Sequence, residues 1–390
     1  MEVEAGIRLR KGVFRLLLIA AALWCCGRPA ELYSSPVVRA ERSLFWSDGA
    51  LLDDASLVSF PLLMAAAAGD RNGGALLQQW FHRFATTEHS QRTHPGLFVD
   101  AFAAAHGGDP SGWDLSLMAF KLTGLHNRID LAELGPGGHC GELRASFSCT
   151  ALELQPFHVL FVFRQPAGPG DLDAEGHLTC TATARRWAEL SRLEGEALLD
   201  AVRFELKSGF APERFAAIET LELTVTPWEW RQWVKGPAEP PLQFTLQNPP
   251  LFQQLDVERL NLEGPRRDDL LHWVEGNAAA LDARTLVFPE RLRAQSVQVS
   301  QKVPRVPLSL EGLRADVAAQ YPNLRQHIEL LGCAACHTAD ADFVQTRTDR
   351  SVSPFHQKEL SARERHLEQL ADGIAVPLPF GPLQPEPVLP

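Results

Sequence analysis

The chain has 390 residues, is 45% hydrophobic and 22% charged, and carries a formal charge of -11. That balance fits a packed globular protein and excludes the footprint of a nucleic-acid binder, which shows as a cationic patch and an alkaline pI. No nucleic-acid partner is assigned.

Arg8, Arg10 and Lys11 precede an apolar run from Leu16 to Cys26. A cationic start followed by such a run reads as a secretory leader, and the run is too short for a mature membrane span, which takes about 20 residues. Residues 1–30 are therefore expected to be a signal peptide, and the mature chain to sit in the periplasm or outside the cell. Cys25 and Cys26 leave a lipid anchor open, although Trp24 and Cys25 are poor substitutes for the small residues that such a site needs. Past the leader, no transmembrane segment is expected.

Residues from about Glu41 to Gly108 read as helical, since Leu77, Trp80, Phe81 and Phe84, and again Phe98, Phe102 and Ala105, recur at helical spacing. The pattern then changes to strands: Phe120–Leu125, Leu143–Cys149 and Phe157–Arg164, with a loop forced by Gly135-Pro-Gly-Gly138. Trp187–Phe204 returns to helix, and Leu221–Val225 and Trp228–Val234 alternate as strands, with Phe244–Leu246 able to pair beside them. Residues from Asp268 to Arg284 are helical again, and Val297–Pro307 is a polar, β-prone stretch. Strands that follow one another without regular helical crossovers favour an antiparallel sheet. The fold class expected is α+β: a mixed main domain with an antiparallel sheet over 31–303, a small helical cytochrome c-like module over 304–376, and a proline-rich tail over 377–390.

Cys333-Ala-Ala-Cys336-His337 lies in the last of these folded parts. CxxCH is the spacing at which two thiols attach to the vinyl groups of a haem while the next residue ligates its iron. Asn323 can cap a helix carrying Leu324, Ile328 and Leu331 on one face, delivering Gly332 and Cys333 at its end. The cofactor expected is one covalent haem c, held by Cys333 and Cys336 with His337 as proximal ligand. Two other readings stay open, zinc held by the two thiols and two histidines, and a disulfide between Cys333 and Cys336.

Only Met1, Met64 and Met118 occur, so no methionine follows the motif. His356 and His366 are the downstream candidates for the iron's other side. Ser361 and Glu364 have capping-box spacing, which would start a helix with His366 and Leu370 on its inward edge and Gly373 at its end, leaving His356 in the preceding loop.

Three further cysteines follow the leader, and Cys140 with Cys180 is the pairing preferred here, leaving Cys149 buried in a strand. Asn127, Arg128 and Asp130, followed by Glu142 and Arg144, form a dense polar group that reads as a structural cluster or a polar cleft. Arg128 and Arg144 are expected to pair with Asp130 and Glu142. A nucleophilic Cys140 with His139 as base is the weaker reading, because neighbours on an extended chain point to opposite faces. No catalytic residue is assigned.

The order Asn127-Arg-Ile-Asp-Leu131, Cys140-Gly-Glu-Leu-Arg144, a cysteine before a tryptophan-containing helix, the tryptophan-rich strand Trp228–Trp233, CxxCH and then Ser353-Pro-Phe-His-Gln-Lys-Glu-Leu-Ser-Ala-Arg363 resembles a group of large secreted proteins of myxobacteria and related bacteria. These carry a similar NRxDL, CGExR and single CxxCH layout. The resemblance spans most of the mature chain and implies that its two halves form one unit; it brings no established activity. The reading reached is an exported c-type haem protein for single-electron transfer or redox-linked binding, with a redox partner protein. The alternatives are a haem peroxidase-like enzyme with an open distal site, and a non-redox envelope binding protein with zinc or a disulfide at the CxxCH.

Overall fold

The structure is a computed structural model that describes residues 37–47, 49–69, 72–86, 92–133, 138–151, 154, 156–223, 228–236, 245–251, 255–282, 288–299, 308–322, 324, 328 and 346–374. The expected leader, the tail beyond residue 376, and Cys333, Cys336 and His337 all lie outside the described residues. The described residues fall in one unit, Pro36–Pro390.

The chain builds a mixed α+β fold on an antiparallel sheet. Its strands are β1 (Phe45–Trp46), β2 (Phe120–Arg128), β3 (Glu142–Cys149), β4 (Phe157–Arg164), β5 (Phe215–Glu222), β6 (Trp228–Lys235), β7 (Leu246–Gln247) and β8 (Ser296–Val299). They run β1-β2-β3-β4-β5-β6-β7 across the sheet, with β8 paired to β6. Helices α1 (Ala40–Ser43), α2 (Gly49–Leu52), α3 (Phe60–Ala68), α4 (Gly73–Arg83) and α5 (His94–His106) precede β2. Between β4 and β5 come α6 (Thr181–Glu189) and α7 (Gly195–Gly209). Then follow α8 (Val257–Leu260), α9 (Pro265–Gly276), α10 (Ala278–Asp282), α11 (Ala315–Gln320) and α12 (Pro354–Ala371).

Side chains of a strand alternate between faces, and here the alternation sorts rings from polar groups. Phe120, Phe147, Phe157, Phe161 and Trp233 share one face and meet Phe60 of α3 and Trp80 and Phe81 of α4. Each fully buried ring contributes about 2–3 kcal/mol of transfer free energy, so this layer is the main apolar core. The opposite face carries Thr123, His126, Arg128, Arg144, Ser146, Ser148, His158 and Glu219. The register joins these residues across strands, pairing His126 with Arg144 and Ser148 with His158. Although polar, this face is largely buried.

A second apolar cluster joins Leu260, Leu270, Val274, Phe288 and Leu292 to Leu308, Val317, Leu324 and Ile328. Packing therefore crosses the divide expected near residue 304. Leu324 and Ile328 are buried as their helical spacing implies, whereas Asn323, Leu331 and Gly332 lie outside the described residues. The last helix, α12, is also tied to the main sheet unit. Glu364 Oε1 accepts from the Ala40 amide at 2.7 Å, Glu368 Oε1 accepts from the Val38 amide at 2.9 Å, and the Ala371 carbonyl accepts from Arg185 Nε at 2.8 Å.

Two expectations about α12 change. The helix begins at Pro354, and its cap is Ser353, whose hydroxyl accepts from the His356 amide at 3.2 Å. Proline suits the first helical position because its missing N–H would be unsatisfied there anyway. His356 therefore sits in the first turn rather than in a loop, and Ser361 and Glu364 fall inside the helix, not at its cap. Gly373, with φ +76°, closes the helix as expected.

Among the described residues no helix is long and apolar enough to cross a membrane.

Candidate functional site

Two motifs far apart in sequence meet where α12 lies on the short 3-10 turn Ile129–Leu131 that ends β2. Arg128 is bidentate with Asp130, Nε to Oδ1 at 3.0 Å and Nη2 to Oδ2 at 2.8 Å. Glu359 of α12 stands 3.6 Å from Arg128, and Arg363, one turn further on, pairs with Glu359 and places Nε 3.7 Å from Asp130. Two guanidinia thus face two carboxylates, with Arg363 only 1% exposed.

This arrangement decides the charge state of Glu359. Burial works to raise its carboxyl, but Arg363 and Arg128 outweigh it and hold Glu359 well below the usual carboxylate range. Burial also opposes the ionisation of Asp130, which Arg128 and Arg363 nonetheless hold low. The quartet is formally neutral, as a buried ion group must be to avoid a large desolvation cost.

Next to it stand two imidazoles. His356 is fully buried, and its Nδ1 lies 3.3 Å from Glu359 Oε2. His126 of β2 is also fully buried, with Nε2 3.0 Å from Ser146 Oγ. Their rings are 5.3 Å apart, and Phe45 of β1 packs on both, at 4.9 Å from His126 and 4.8 Å from His356. Burial, then His356 and the guanidinia of Arg363, Arg128 and Arg144, hold His126 well below the ordinary imidazole range. Burial likewise lowers His356, against the upward pull of the Glu359 hydrogen bond. Both rings are neutral near pH 7. His356 Nε2 and His126 Nδ1 are buried and have no hydrogen-bond partner among the described residues.

The polar face continues across the sheet. Arg144 donates to Glu142 Oε2 from Nε at 2.9 Å and Nη2 at 2.7 Å, and its Nη1 reaches Glu219 of β5 at 3.0 Å. The expected Arg128–Asp130 and Arg144–Glu142 pairs are thus present, and Glu219 joins them from a strand that the motif does not contain. Burial pushes the Glu219 carboxyl up, against the pull of Arg144. Asn127 points the other way. Its amide donates to the Ser43 carbonyl at 3.0 Å and accepts from Gln165 at 2.9 Å, and Gln165 in turn accepts from Trp187 Nε1 at 2.7 Å. Asn127 ties α1 to α6 and is not part of the cluster.

Thr346 is the first described residue after the CxxCH stretch, nine positions beyond His337. Its hydroxyl lies 3.2 Å from that of Thr123, and Thr348 is 2.7 Å from Ser148 Oγ. A Cβ on Gly124 would lie 3.1 Å from Phe45 Cε2 and 3.2 Å from both His126 Nε2 and Thr346 Cγ2, so a larger residue there would require these neighbours to shift by a few tenths of an ångström. Thr346 and Thr348 therefore lie on the polar face, beside His126.

His366, the residue expected to face inward, is buried on α12. Burial lowers its imidazole while the nearby Asp130 raises it. No hydrogen bond among the described residues orients its ring.

Cys140 and Cys180 are joined in a disulfide that spans 40 residues, so Cys140 is not an available nucleophile. The bridge packs with Ala132 and Leu178. Gly141 follows at φ +85°, where an added Cβ would lie 2.5 Å from the Arg128 carbonyl oxygen; this close approach brings the CGELR motif against NRIDL. Cys149 stays outside the bridge, buried in β3.

No family model, curated protein or solved structure matches this chain. Sequence reasoning missed Glu359, Arg363, His126 and Ser146 as site residues. For Glu359 and Arg363 the signal was the second half of the Ser353–Arg363 motif, whose glutamate and arginine fall four residues apart on one helical face; His126 and Ser146 are brought together only by the register of β2 and β3.

Proposed function

We propose that this is an exported c-type haem protein in which Cys333 and Cys336 hold one porphyrin by thioether bonds and His337 is the proximal iron ligand. The observation that carries this reading is the buried pair of imidazoles, His126 and His356, each with a ring nitrogen that has no hydrogen-bond partner among the described residues. They stand on the face that Thr346 and Thr348 contact, nine and eleven positions after His337. Leaving a buried polar nitrogen unpaired costs about 1–3 kcal/mol, so two together point to a group that completes them. A tether of nine residues spans at most about 30 Å, enough for His337 to approach this face.

Haem c when bound supplies one-electron exchange between ferric and ferrous iron. The protein's own contribution is a dry, charge-balanced surround. Arg128 and Arg363 keep Glu359 and Asp130 ionised, Glu359 holds the His356 ring in place, and Phe45 packs against both imidazoles to exclude water. The reading is of an electron-transfer or redox-linked binding protein in the cell envelope that works with a redox partner protein.

The test is to produce the full chain with a cytochrome c maturation system and stain for haem after denaturing electrophoresis. A stain weakened in each of Cys333→Ala and Cys336→Ala, with a reduced α-band in the wild type, is the expected result. A colourless wild-type protein with the mass of the apoprotein refutes it and promotes the zinc or disulfide reading, which a zinc determination and thiol mapping then separate.

A further inference from the structure

We propose that the Cys140–Cys180 bridge is a redox-sensitive latch for α12: closed, it seats the helix across the end of β2, and reduced, it releases the helix while the β2–β6 meander stays folded. This latch does not depend on the haem reading.

α12 is held from two sides, and each side ends on one of these cysteines. On the first, Arg128 and Asp130 face Glu359 and Arg363 of α12. The turn that carries them is backed by Gly141, next to Cys140, where an added Cβ would lie 2.5 Å from both the Arg128 carbonyl oxygen and Ile129 Cα. On the second, α6 starts directly after Cys180 and packs along α12, with Arg185 Nε donating to the Ala371 carbonyl at 2.8 Å. The bridge is the covalent tie between the two sides. Gln165 also spans them, from Asn127 to Trp187, but through hydrogen bonds that water can replace. The apolar packing around the sulfurs is small, Ala132 and the partly buried Leu178 among the described residues. The main ring core lies on the other face of the sheet against α3 and α4, so the meander keeps its core when α12 leaves.

Cys180 supplies the bias toward release. Its φ is +58°, in the left-handed region that is unfavourable for a side chain other than glycine. The closed bridge keeps the residue there; opened, it can relax, which moves the start of α6 relative to the sheet. Both cysteines are buried, and Leu178, which packs on them, pairs with the exposed Leu172 in a short hairpin. Movement of that hairpin gives a thiol access. Closing the latch takes two electrons and two protons from the two thiols and passes them to a disulfide oxidant, which becomes a dithiol. Opening runs the exchange backwards: a thiolate of a dithiol attacks one sulfur and the other leaves as a thiolate and takes up a proton. The dithiol's second sulfur then closes on its first and frees the remaining cysteine.

The experiment follows hydrogen exchange by mass spectrometry in the full chain: oxidised, treated with dithiothreitol without denaturant, and reoxidised with glutathione disulfide, with thiol labelling to report whether the bridge is open. On reduction, peptides over α12 and over residues 37–46 should lose protection and recover on reoxidation, while β3, β4 and β5 keep theirs. Cys140→Ser with Cys180→Ser should show the released pattern with or without reductant; reduced wild type serves if that variant fails to fold. An open bridge with α12 still protected overturns the latch. So does a uniform loss over all strands, which is what a general crosslink would give, and so does a bridge that opens only in denaturant. A response to reductant that persists in the double serine variant belongs to other cysteines and overturns it as well.

Discussion

Arg363→Met tests whether the buried quartet behaves as one unit. Methionine retains much of the side-chain length and volume but removes the guanidinium, leaving Glu359 with Arg128 at 3.6 Å as its remaining cation. Taking one partner from a buried ion group strands the other, at a cost of about 3–5 kcal/mol, whereas an exposed pair would be worth at most about 1 kcal/mol. With Arg363 1% exposed, the larger figure applies. Urea unfolding followed by tryptophan fluorescence should show the midpoint falling accordingly. The double variant Arg363→Met with Glu359→Gln removes both charges, so it should be less destabilised than the sum of the two single changes by about 1–3 kcal/mol. Acid adds a second arm. Glu359 is held well below its ordinary 4.5, so its contribution is fully present above about pH 4.5 and is lost as pH falls through the lowered value. In Arg363→Met that acid loss should shrink, because the carboxyl returns toward its ordinary range. A loss under about 1 kcal/mol, or strict additivity in the double variant, would refute the buried-quartet account.

Replacing Cys140 and Cys180 by serine and alanine opens a loop of 40 residues and should destabilise by about 4 kcal/mol in the chain-entropy model, readable in the same urea series. Peptide mapping of the wild type without reductant should recover the two cysteines linked. Burial pushes His158 down to about 4 from an ordinary 6.5. It is neutral when folded and takes up a proton on unfolding between these values, so stability is full above about pH 6.5 and falls as pH drops toward 4; His158→Leu should flatten that slope, and an unchanged slope would show that the ring is hydrated.

The strands were legible where their chemistry was local. Phe157–Arg164 has the expected limits because its rings and β-branched residues have no competing helical reading. The neighbouring strand was expected at Leu221–Val225 but runs Phe215–Glu222, since Ala216 and Ala217 carry little strand signal and only pairing to β4 makes them extended. In β6 the rings at Trp228 and Trp230 do share a side, yet the side that is buried holds Glu229, Arg231 and Trp233. Arg231 pairs with Glu229 at 2.7 Å, and Arg92 places Nε 3.2 Å from Glu229 and 3.7 Å from Glu222, a partnership between distant segments that no local pattern encodes. The candidate site divides the same way. Arg128 with Asp130 and Arg144 with Glu142 could be read two residues apart, whereas Glu359, Arg363 and His356 join them only because α12 packs across the end of β2. The helix start was misread because two serines compete for the cap, and the one followed by proline prevails.

The grip of α12 on the amides of Val38 and Ala40 has a consequence for the order of folding. These bonds close separations of 330 and 324 residues, so they are among the most non-local in the molecule. The meander β2 to β6 can pair strand by strand as the chain emerges, whereas the bonds of α12 to Val38 and Ala40 must close over nearly the whole described chain, and loop closure over such a distance is slow. Phe45, one wall of the imidazole pocket, lies just beyond that grip. The pocket therefore closes only once these distant segments have met.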